Sequence, residues 1–357
     1  MKPLLSSLLL FQFLLSNAQI KTENLVIVTL DGMRWQEVFG GVDPAIIQNK
    51  QFTKDSANIM AQYWSSNIND RRAKLFPFLW NELAKKGQLY GNRIIGNQVN
   101  NANPYKFSYP GYNEIFTGYP DVKVNSNEKI WNPNENVLEF INRQKGFEGK
   151  VAAFSTWDVI PFILNKQRSG IYVNADRDSL MFPDASLKLI NNMQSLTTRP
   201  IGVRPDVFTF FAAKEYLKIY KPKVLYISFD ETDDFAHAGL YDQYLNSAHA
   251  EDAMISDLWQ TLQQDPTYRN KTTLIITTDH GRGDLTKENW QHHGEKIPDA
   301  GQIWIAVMGP DTKTMGEVII KQTNYQKQLA ATFSALLGLN FTANHPVAEP
   351  IKSILAK

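Results

Sequence analysis

The sequence of 357 residues contains no cysteine. The chain can therefore form no disulfide bond, and no lipid can be anchored on a cysteine thiol. Any metal site must be built from histidine, aspartate, glutamate or hydroxyl ligands, because thiolate ligands are excluded.

The sequence also lacks an excess of charge of either sign. Lysine and arginine number 37, aspartate and glutamate number 36, and no long basic tract occurs. Nucleic-acid-binding domains usually have a basic patch or stripe, so the composition provides no nucleic-acid-binding signature. With 43% apolar and 20% charged residues, the composition is that of an ordinary globular chain.

Long apolar runs are scarce, and the one near the N-terminus is short. Lys2 precedes an apolar run from Leu4 to Leu15, which is followed by the small residues Ser16 and Ala18. This pattern is typical of a cleavable signal peptide, and the run is too short to span a bilayer. We expect residues 1–18 to be removed on secretion or export to the periplasm. No other stretch approaches the length of a membrane span.

Short β-branched runs that end at turn residues are the clearest structural signal. Three end at a carboxylate and the fourth ends at Gly309 and Pro310; they span Asn24–Leu30, Lys223–Phe229, Thr272–Thr278 and Gln302–Met308. Continuous apolar runs of this length suit strands that are buried on both faces of a parallel sheet.

Helical patterns alternate with these runs, over Leu75–Lys86, Asn136–Gln144, Asp206–Tyr220, Ala248–Leu262 and Tyr325–Leu337. This alternation predicts an α/β fold, a three-layer sandwich with a mostly parallel central sheet and helices on both faces. We expect residues 19–357 to form a single catalytic domain. Two irregular segments, residues 41–74 and 159–205, are predicted to be lid-like insertions that frame a site.

The strand ends place acidic residues at one edge of the predicted sheet. Asp31 follows the first run, the acidic cluster DETDDFAH follows the second, and Asp279 follows the third. In an open α/β sheet, ligands bind outside the carboxyl ends of the strands. Negative charge concentrated at one edge is unfavourable unless cations neutralise it, which indicates a metal site.

Histidines are concentrated in the same segments. Asp233 and His237 are four residues apart, so one helical turn would bring both side chains to one face. Mixed carboxylate and imidazole ligands suit zinc, with manganese as the alternative. Four of the six histidines of the chain lie in these segments, namely His237, His280, His292 and His293.

A candidate nucleophile lies in the segment FSYPGYNEIFTGYPD. Ser108 precedes residues that can begin a helix, which would place it at a helix N-terminus where backbone N–H groups favour a phosphate. A serine hydroxyl becomes nucleophilic near neutral pH when a coordinated divalent cation lowers its pKa. The alternative is that Ser108 only caps the helix.

The motifs NLVIVTLDG, FSYPGYNEIFTG, DETDDFAH, TTDHG and HHG resemble those of the alkaline phosphatase superfamily in order and approximate spacing. The resemblance is closest to the nucleotide pyrophosphatase/phosphodiesterase-like branch. It implies an alkaline-phosphatase-like fold, two divalent cations, and hydrolysis of small phosphoric esters through a phosphoseryl intermediate.

The resemblance also implies which residues bind the metals. The first metal would be bound by Asp31, Asp279, His280 and the oxygen of Ser108. The second would be bound by Asp233, His237 and His293, with Asp234 and His292 as rival ligands. In such enzymes an asparagine after the nucleophile donates to a phosphoryl oxygen, and Asn127 is the best match.

The sequence departs from the family pattern near the nucleophile. Phosphodiesterase-type members usually have threonine where this chain has Ser108. Sulfatases need an arginine where this chain has Tyr112, so sulfatase activity is disfavoured. Mutases on the same scaffold work in the cytoplasm, which the signal peptide argues against. A phosphotransferase or a non-catalytic protein that keeps the metals is a further alternative.

The sequence leaves open whether the substrate is a phosphomonoester or a phosphodiester. A monoesterase needs extra cations near the phosphate dianion, for which the candidates are Lys129, Lys166 and Arg168. A diesterase needs an apolar or aromatic wall for the second ester group, for which the candidates are Tyr109, Tyr112, Trp157 and Phe162.

Overall fold

The computed structural model describes residues 21–199 and 202–355. The predicted signal peptide, residues 1–18, lies outside these ranges. Within them, no helix is long and apolar enough to cross a bilayer. The strands are β1 (Asn24–Leu30), β2 (Gln88–Tyr90), β3 (Asn97–Asn100), β4 (Val151–Ser155), β5 (Tyr172–Ala175), β6 (Val224–Phe229), β7 (Thr272–Thr277), β8 (Gln302–Ile303), β9 (Ile305–Met308), β10 (Gly316–Glu317) and β11 (Gln322–Tyr325).

The α-helices include several short ones near the N-terminus and longer ones in the second half of the chain. They are α1 (Trp35–Gly40), α2 (Pro44–Gln48), α3 (Ser56–Tyr63), α4 (Ile68–Leu75), α5 (Ala84–Lys86), α6 (Ser108–Thr117), α7 (Val137–Asn142), α8 (Ile160–Ile163), α9 (Lys166–Ser169), α10 (Ala185–Leu196), α11 (Asp206–Tyr220), α12 (Glu231–His237), α13 (Tyr241–Gln264) and α14 (Leu329–Leu336).

The strands form two sheets. The larger has the order β10-β2-β9-β7-β1-β6-β4-β5, and the smaller has the order β11-β3-β8. In the larger sheet the neighbouring pairs are parallel, except that β9 runs antiparallel to both β7 and β2. The predicted mostly parallel central sheet is confirmed.

The larger sheet separates two apolar cores. Successive side chains of β1 point to opposite faces, so Val26 and Val28 join one core while Leu25 and Ile27 join the other. Helices α11 and α13 contribute to the first core, and α6 and α14 contribute to the second. The predicted three-layer sandwich is therefore confirmed as well.

The run predicted as a single strand over 302–308 is divided between the two sheets. Gln302–Ile303 pairs in the smaller sheet, and Ile305–Met308 enters the larger sheet in the antiparallel direction. The direction follows from the connection, because the chain returns from the end of β7 through a loop rather than a helical crossover. The apolar composition of this run could not distinguish the two directions.

Three predicted helices are also shorter than expected, and the one predicted over Asn136–Gln144 is Val137–Asn142 in the structure. The pattern over 75–86 is interrupted at Phe76 and Pro77, and beyond them only a π-helical turn (Leu79–Leu83) and α5 follow. A residue before proline is disfavoured in the helical conformation, which explains the break. The pattern over 325–337 begins as strand, because Tyr325 ends β11.

The two segments predicted to be irregular contain regular structure. Residues 41–74 form α2, α3 and most of α4, and Ile46 and Ile59 are buried in the first core. Residues 159–205 contain α8, α9, β5 and α10. Their predicted role as lids, like the predicted single domain, stays a prediction.

Candidate metal centre

Three neighbouring parallel strands place acidic residues at one edge of the larger sheet. β7, β1 and β6 lie side by side, so their carboxyl ends meet. Asp31 follows β1, and Asp279 and His280 follow β7. Helix α12, which begins just after β6, contains Asp233 and His237. The edge is the one at which open α/β sheets bind ligands.

The first ligand group consists of Asp31, Asp279 and His280, all of which are buried. The Nε2 atom of His280 lies 3.4 Å from Asp31 Oδ1 and 3.3 Å from Asp279 Oδ2. Neither carboxylate oxygen has a hydrogen-bond partner among the described residues. Because an unpaired buried carboxylate oxygen is unfavourable, a cation between these atoms fits the group.

The second ligand group consists of Asp233, His280 and His293. His237 adjoins it, since its Nε2 lies 3.1 Å from Asp233 Oδ2 and 2.9 Å from His293 Nε2. The rings of His280 and His293 stack with centroids 4.0 Å apart. The structure thus brings together the ligands expected for the second metal and places them directly beside the first group.

In two of these histidines, the ring nitrogen that faces away from the carboxylates, Nδ1, lies within hydrogen-bond distance of a backbone carbonyl. His280 Nδ1 lies 3.0 Å from Gly281 O, and His293 Nδ1 lies 3.2 Å from Lys106 O. A carbonyl oxygen can only accept, so a proton on Nδ1 satisfies each of these carbonyls and leaves Nε2 as the nitrogen that can bind a cation. Imidazole lone pairs beside carboxylate oxygens fit a divalent cation.

Burial and mutual repulsion perturb the acidic groups. Burial raises the pKa of Asp31 well above its usual range, and the charges of Asp279 and Asp233 raise it further. Burial also acts to raise the pKa of Asp233, but Arg282 and His237 outweigh it and hold that pKa well below its usual range. The ionised carboxylates of this edge therefore need positive charge close by.

Ser108 is the first residue of α6, and its Oγ lies 3.4 Å from His280 Nε2. This position depends on a close approach between α6 and the end of β7. A Cβ atom at Gly111 would lie 2.4 Å from the carbonyl oxygen of Asp279. The absence of a side chain at Gly111 therefore lets α6 bring Ser108 to the first ligand group.

Two further side chains contact the start of α6 or the ligands beside it. The Oδ1 atom of Asn127 accepts a 2.9 Å hydrogen bond from the N–H of Tyr109, the residue after Ser108. The hydroxyl of Tyr112 donates to Asp31 Oδ2 at 2.9 Å. The sequence suggested Tyr112 only as an aromatic wall, although its spacing of four from Ser108 placed both on one helix face.

The rival ligands lie outside both groups. His292 is exposed, whereas its neighbour His293 belongs to the second group. Burial and the adjacent charge of Asp233 raise the pKa of Asp234 to about 7. The geometry favours Asp233 and His293 over these neighbours.

Arg282 is a site residue that the sequence reasoning missed. It is buried and donates to the carboxylate of Asp233. Its place two residues after His280, directly behind the TTDHG motif, is the sequence signal that could have identified it.

A family model described as type I phosphodiesterase / nucleotide pyrophosphatase matches residues 42–332. The matched range includes Ser108 and all three histidine-containing motifs, DETDDFAH, TTDHG and HHG, whereas Asp31 lies before it. No curated protein matches the sequence of this chain.

Several solved structures share the fold at low sequence identity. The wild-type alkaline phosphatase PafA is 11% identical with a TM-score of 0.61, and the alignment covers 94% of this chain and 99% of that one. A putative sulfatase from Bacteroides thetaiotaomicron is 12% identical with a TM-score of 0.61, covering 94% of this chain and 74% of that one. The phosphonate monoester hydrolase of Agrobacterium radiobacter is 12% identical with a TM-score of 0.60, covering 93% and 77%. The expected alkaline-phosphatase-like fold is confirmed.

The close approach at Gly111 leads to a stability prediction. Gly111→Ala should lower the free energy of unfolding by about 1–3 kcal/mol, because the new methyl group overlaps backbone atoms. Thermal unfolding of the purified protein measures the change. Gly40→Ala is the matched control, since a Cβ there would meet no atom of residues 21–199 or 202–355 within 4 Å. Equal melting temperatures for the two variants would contradict the prediction.

The neighbouring histidines allow a direct test of the second ligand group. His293→Ala should lower the amount of metal bound per chain, because His293 Nε2 faces Asp233 and His237. His292→Ala should leave the metal content unchanged. Metal analysis after dialysis gives both values, and the reverse pattern would make His292 the ligand.

Proposed function

Because the chain belongs to the type I phosphodiesterase / nucleotide pyrophosphatase family and is a hydrolytic enzyme of the alkaline phosphatase superfamily, we propose that it hydrolyses phosphodiesters with Ser108 as the nucleophile. The observation that best supports this is the position of Ser108. Its Oγ lies 3.4 Å from the Nε2 of His280, the residue common to both ligand groups.

Two divalent cations, Zn²⁺ by preference and Mn²⁺ as the alternative, suit the mixed carboxylate and imidazole ligands. When bound, they supply the positive charge that lowers the pKa of the serine hydroxyl and stabilises the leaving oxygen. The residues proposed to hold the first are Asp31, Asp279, His280 and Ser108, and those proposed to hold the second are Asp233, His237 and His293.

The proposed reaction has two displacements at phosphorus. The Ser108 hydroxyl gives up its proton to solvent and its oxygen attacks, so that the Oγ–P bond forms while the bond to one ester oxygen breaks and that oxygen leaves, protonated by water, as an alcohol. Water then cleaves the Oγ–P bond, which releases a phosphomonoester and restores the serine.

Asn127 presents its Nδ2 group to a phosphoryl oxygen, because its Oδ1 accepts a hydrogen bond from the Tyr109 N–H. Tyr112 keeps Asp31 in place. Positioning and charge neutralisation provide the catalysis.

A diester preference is supported by the pairing of the candidate cations. A monoester dianion would need positive charge that is not already neutralised, yet each candidate cation lies beside a carboxylate. The pairs are Lys129 with Asp158 at 2.6 Å, Lys166 with Asp178 at 3.4 Å, and Arg168 with Glu139 at 2.9 Å.

Aromatic side chains close to the ligands support the same preference. The ring of half-buried Trp157 lies 6.4 Å, centroid to centroid, from that of Tyr112, whose hydroxyl contacts Asp31. Such a ring can provide the apolar wall for a second ester group. Phe162 instead stacks on Trp131, with ring centroids 4.3 Å apart.

The proposed place of action is outside the cytoplasm. The signal-peptide pattern at residues 1–18 supports secretion or periplasmic export.

The nucleophile is tested by replacing its hydroxyl. Ser108→Ala should lower kcat by at least about a thousandfold, because no oxygen remains to attack phosphorus. Metal content should stay near two ions per chain, since most of the proposed ligands remain. Ser126→Ala, on the loop beside Asn127, is the control and should keep full activity. Full activity in Ser108→Ala would refute the proposed nucleophile.

The substrate class is tested with three chromogenic compounds on the metal-loaded protein. We expect kcat/KM for bis-p-nitrophenyl phosphate to exceed that for p-nitrophenyl phosphate by at least about tenfold, about 1.4 kcal/mol. Turnover of p-nitrophenyl sulfate should be the lowest. A preference for the monoester would overturn the diester assignment, and a preference for the sulfate would overturn the whole proposal.

A further inference from the structure

Arg282 lies where the ligand-bearing segments meet. Its side chain is fully buried, and its Nη2 donates both to the carboxylate and, at 3.0 Å, to the carbonyl oxygen of Asp233. Its Nη1 donates to the carbonyl oxygen of Gln291 at 2.6 Å. One guanidinium therefore connects the segment after β7, helix α12 and the loop that contains His293.

The segment that contains Asp31 packs against the same guanidinium. A Cβ atom at Gly32 would lie 2.6 Å from Asp233 Oδ1 and 2.9 Å from Arg282 Nε. Gly32 has a φ of +60°, and its N–H donates to Asp279 Oδ1 at 3.1 Å. The segments that follow β1, β6 and β7 and contain proposed metal ligands therefore all lie against Arg282.

We propose that Arg282 is a positioning residue that sets the orientation of Asp233 for the second cation. The guanidinium engages Oδ1 of Asp233, while Oδ2 lies 3.1 Å from His237 Nε2. A planar guanidinium can bind a carboxylate and a carbonyl oxygen at the same time, whereas a lysine ammonium acts as a single point charge. The two guanidinium nitrogens Nη1 and Nη2, rather than the positive charge alone, fix Asp233 relative to the loop that contains His293.

The inference rests on the proposed metal site and predicts an effect on one of its two cations. Arg282→Lys and Arg282→Met should both weaken Zn²⁺ binding at the second site by about 10–100-fold, the usual effect of losing a partner of a metal ligand. Binding at the first site should be unchanged. Titration of metal-free protein with Zn²⁺ against a chromophoric chelator, together with metal analysis, resolves the two affinities.

The two substitutions separate positioning from charge. If Arg282 acted only through its positive charge, Arg282→Lys would bind Zn²⁺ as the wild type does. Arg282→Met would bind it more tightly, because a charge that opposes the cation would be gone. Either result would overturn the proposal. If Arg282→Met does not fold, Arg282→Lys decides alone.

Arg204 provides the matched control for general destabilisation. It is also fully buried, but it donates to Asn174, Thr209 and the carbonyl oxygen of Ser155, none of which is a proposed metal ligand. Arg204→Met should lower the melting temperature and leave both Zn²⁺ affinities unchanged. An equal loss of the second site in Arg204→Met would refute a specific role for Arg282.

The outcome also distinguishes this inference from the proposed function. A wild-type protein that binds no Zn²⁺ and hydrolyses no phosphodiester would refute the proposed function itself. A wild-type protein that binds two ions, with unchanged affinities in both Arg282 variants, would refute only the role of Arg282.

Discussion

Three buried carboxylates, those of Asp31, Asp233 and Asp279, meet where strands β1, β6 and β7 end. Each carboxylate either has its pKa raised by its negative neighbours, as Asp31 has, or has its pKa lowered by a cationic partner, as Asp233 has. The buried guanidinium of Arg282 and the proposed cations offset this concentration of negative charge. Without compensating positive charge, the edge of the sheet would be unfavourable to bury.

Ser108, the proposed nucleophile, depends on the same edge for its position. Helix α6 packs against the end of β7 through Gly111, and Tyr112 on that helix donates to Asp31. The helix therefore fixes Ser108 relative to the first ligand group through one close backbone approach and one hydrogen bond. Because these elements are packed, the Ser108 oxygen and the proposed ligands keep a fixed relative position.

Much of the fold could be predicted from the sequence, because its central strands are continuous β-branched runs that end at turn residues. The prediction for β1 had the correct bounds, and those for β6 and β7 were each one residue too long. The prediction failed at residues 302–308. The apolar pattern correctly indicated strand there, but the direction of the strand in the sheet depended on a loop connection. It also failed at 75–86, where Pro77 interrupts the helical pattern. The short strands β2, β3, β4, β5, β10 and β11 were not predicted, since few residues distinguish them from loops.

The sequence by itself determined the ligand chemistry, because residue type and order at the strand ends identify carboxylates, histidines and one serine. Only the tertiary structure shows which of two neighbours with identical chemistry faces the other candidate ligands. His293 faces Asp233 because the Lys106 carbonyl holds its outer nitrogen, while adjacent His292 is exposed. The contacts of Arg282 with Asp233 and of the Tyr112 hydroxyl with Asp31 also depend on how separate segments pack. Which side chain points into a site depends on how segments distant in the sequence pack. Two residues that are adjacent in the chain can therefore point to different surroundings.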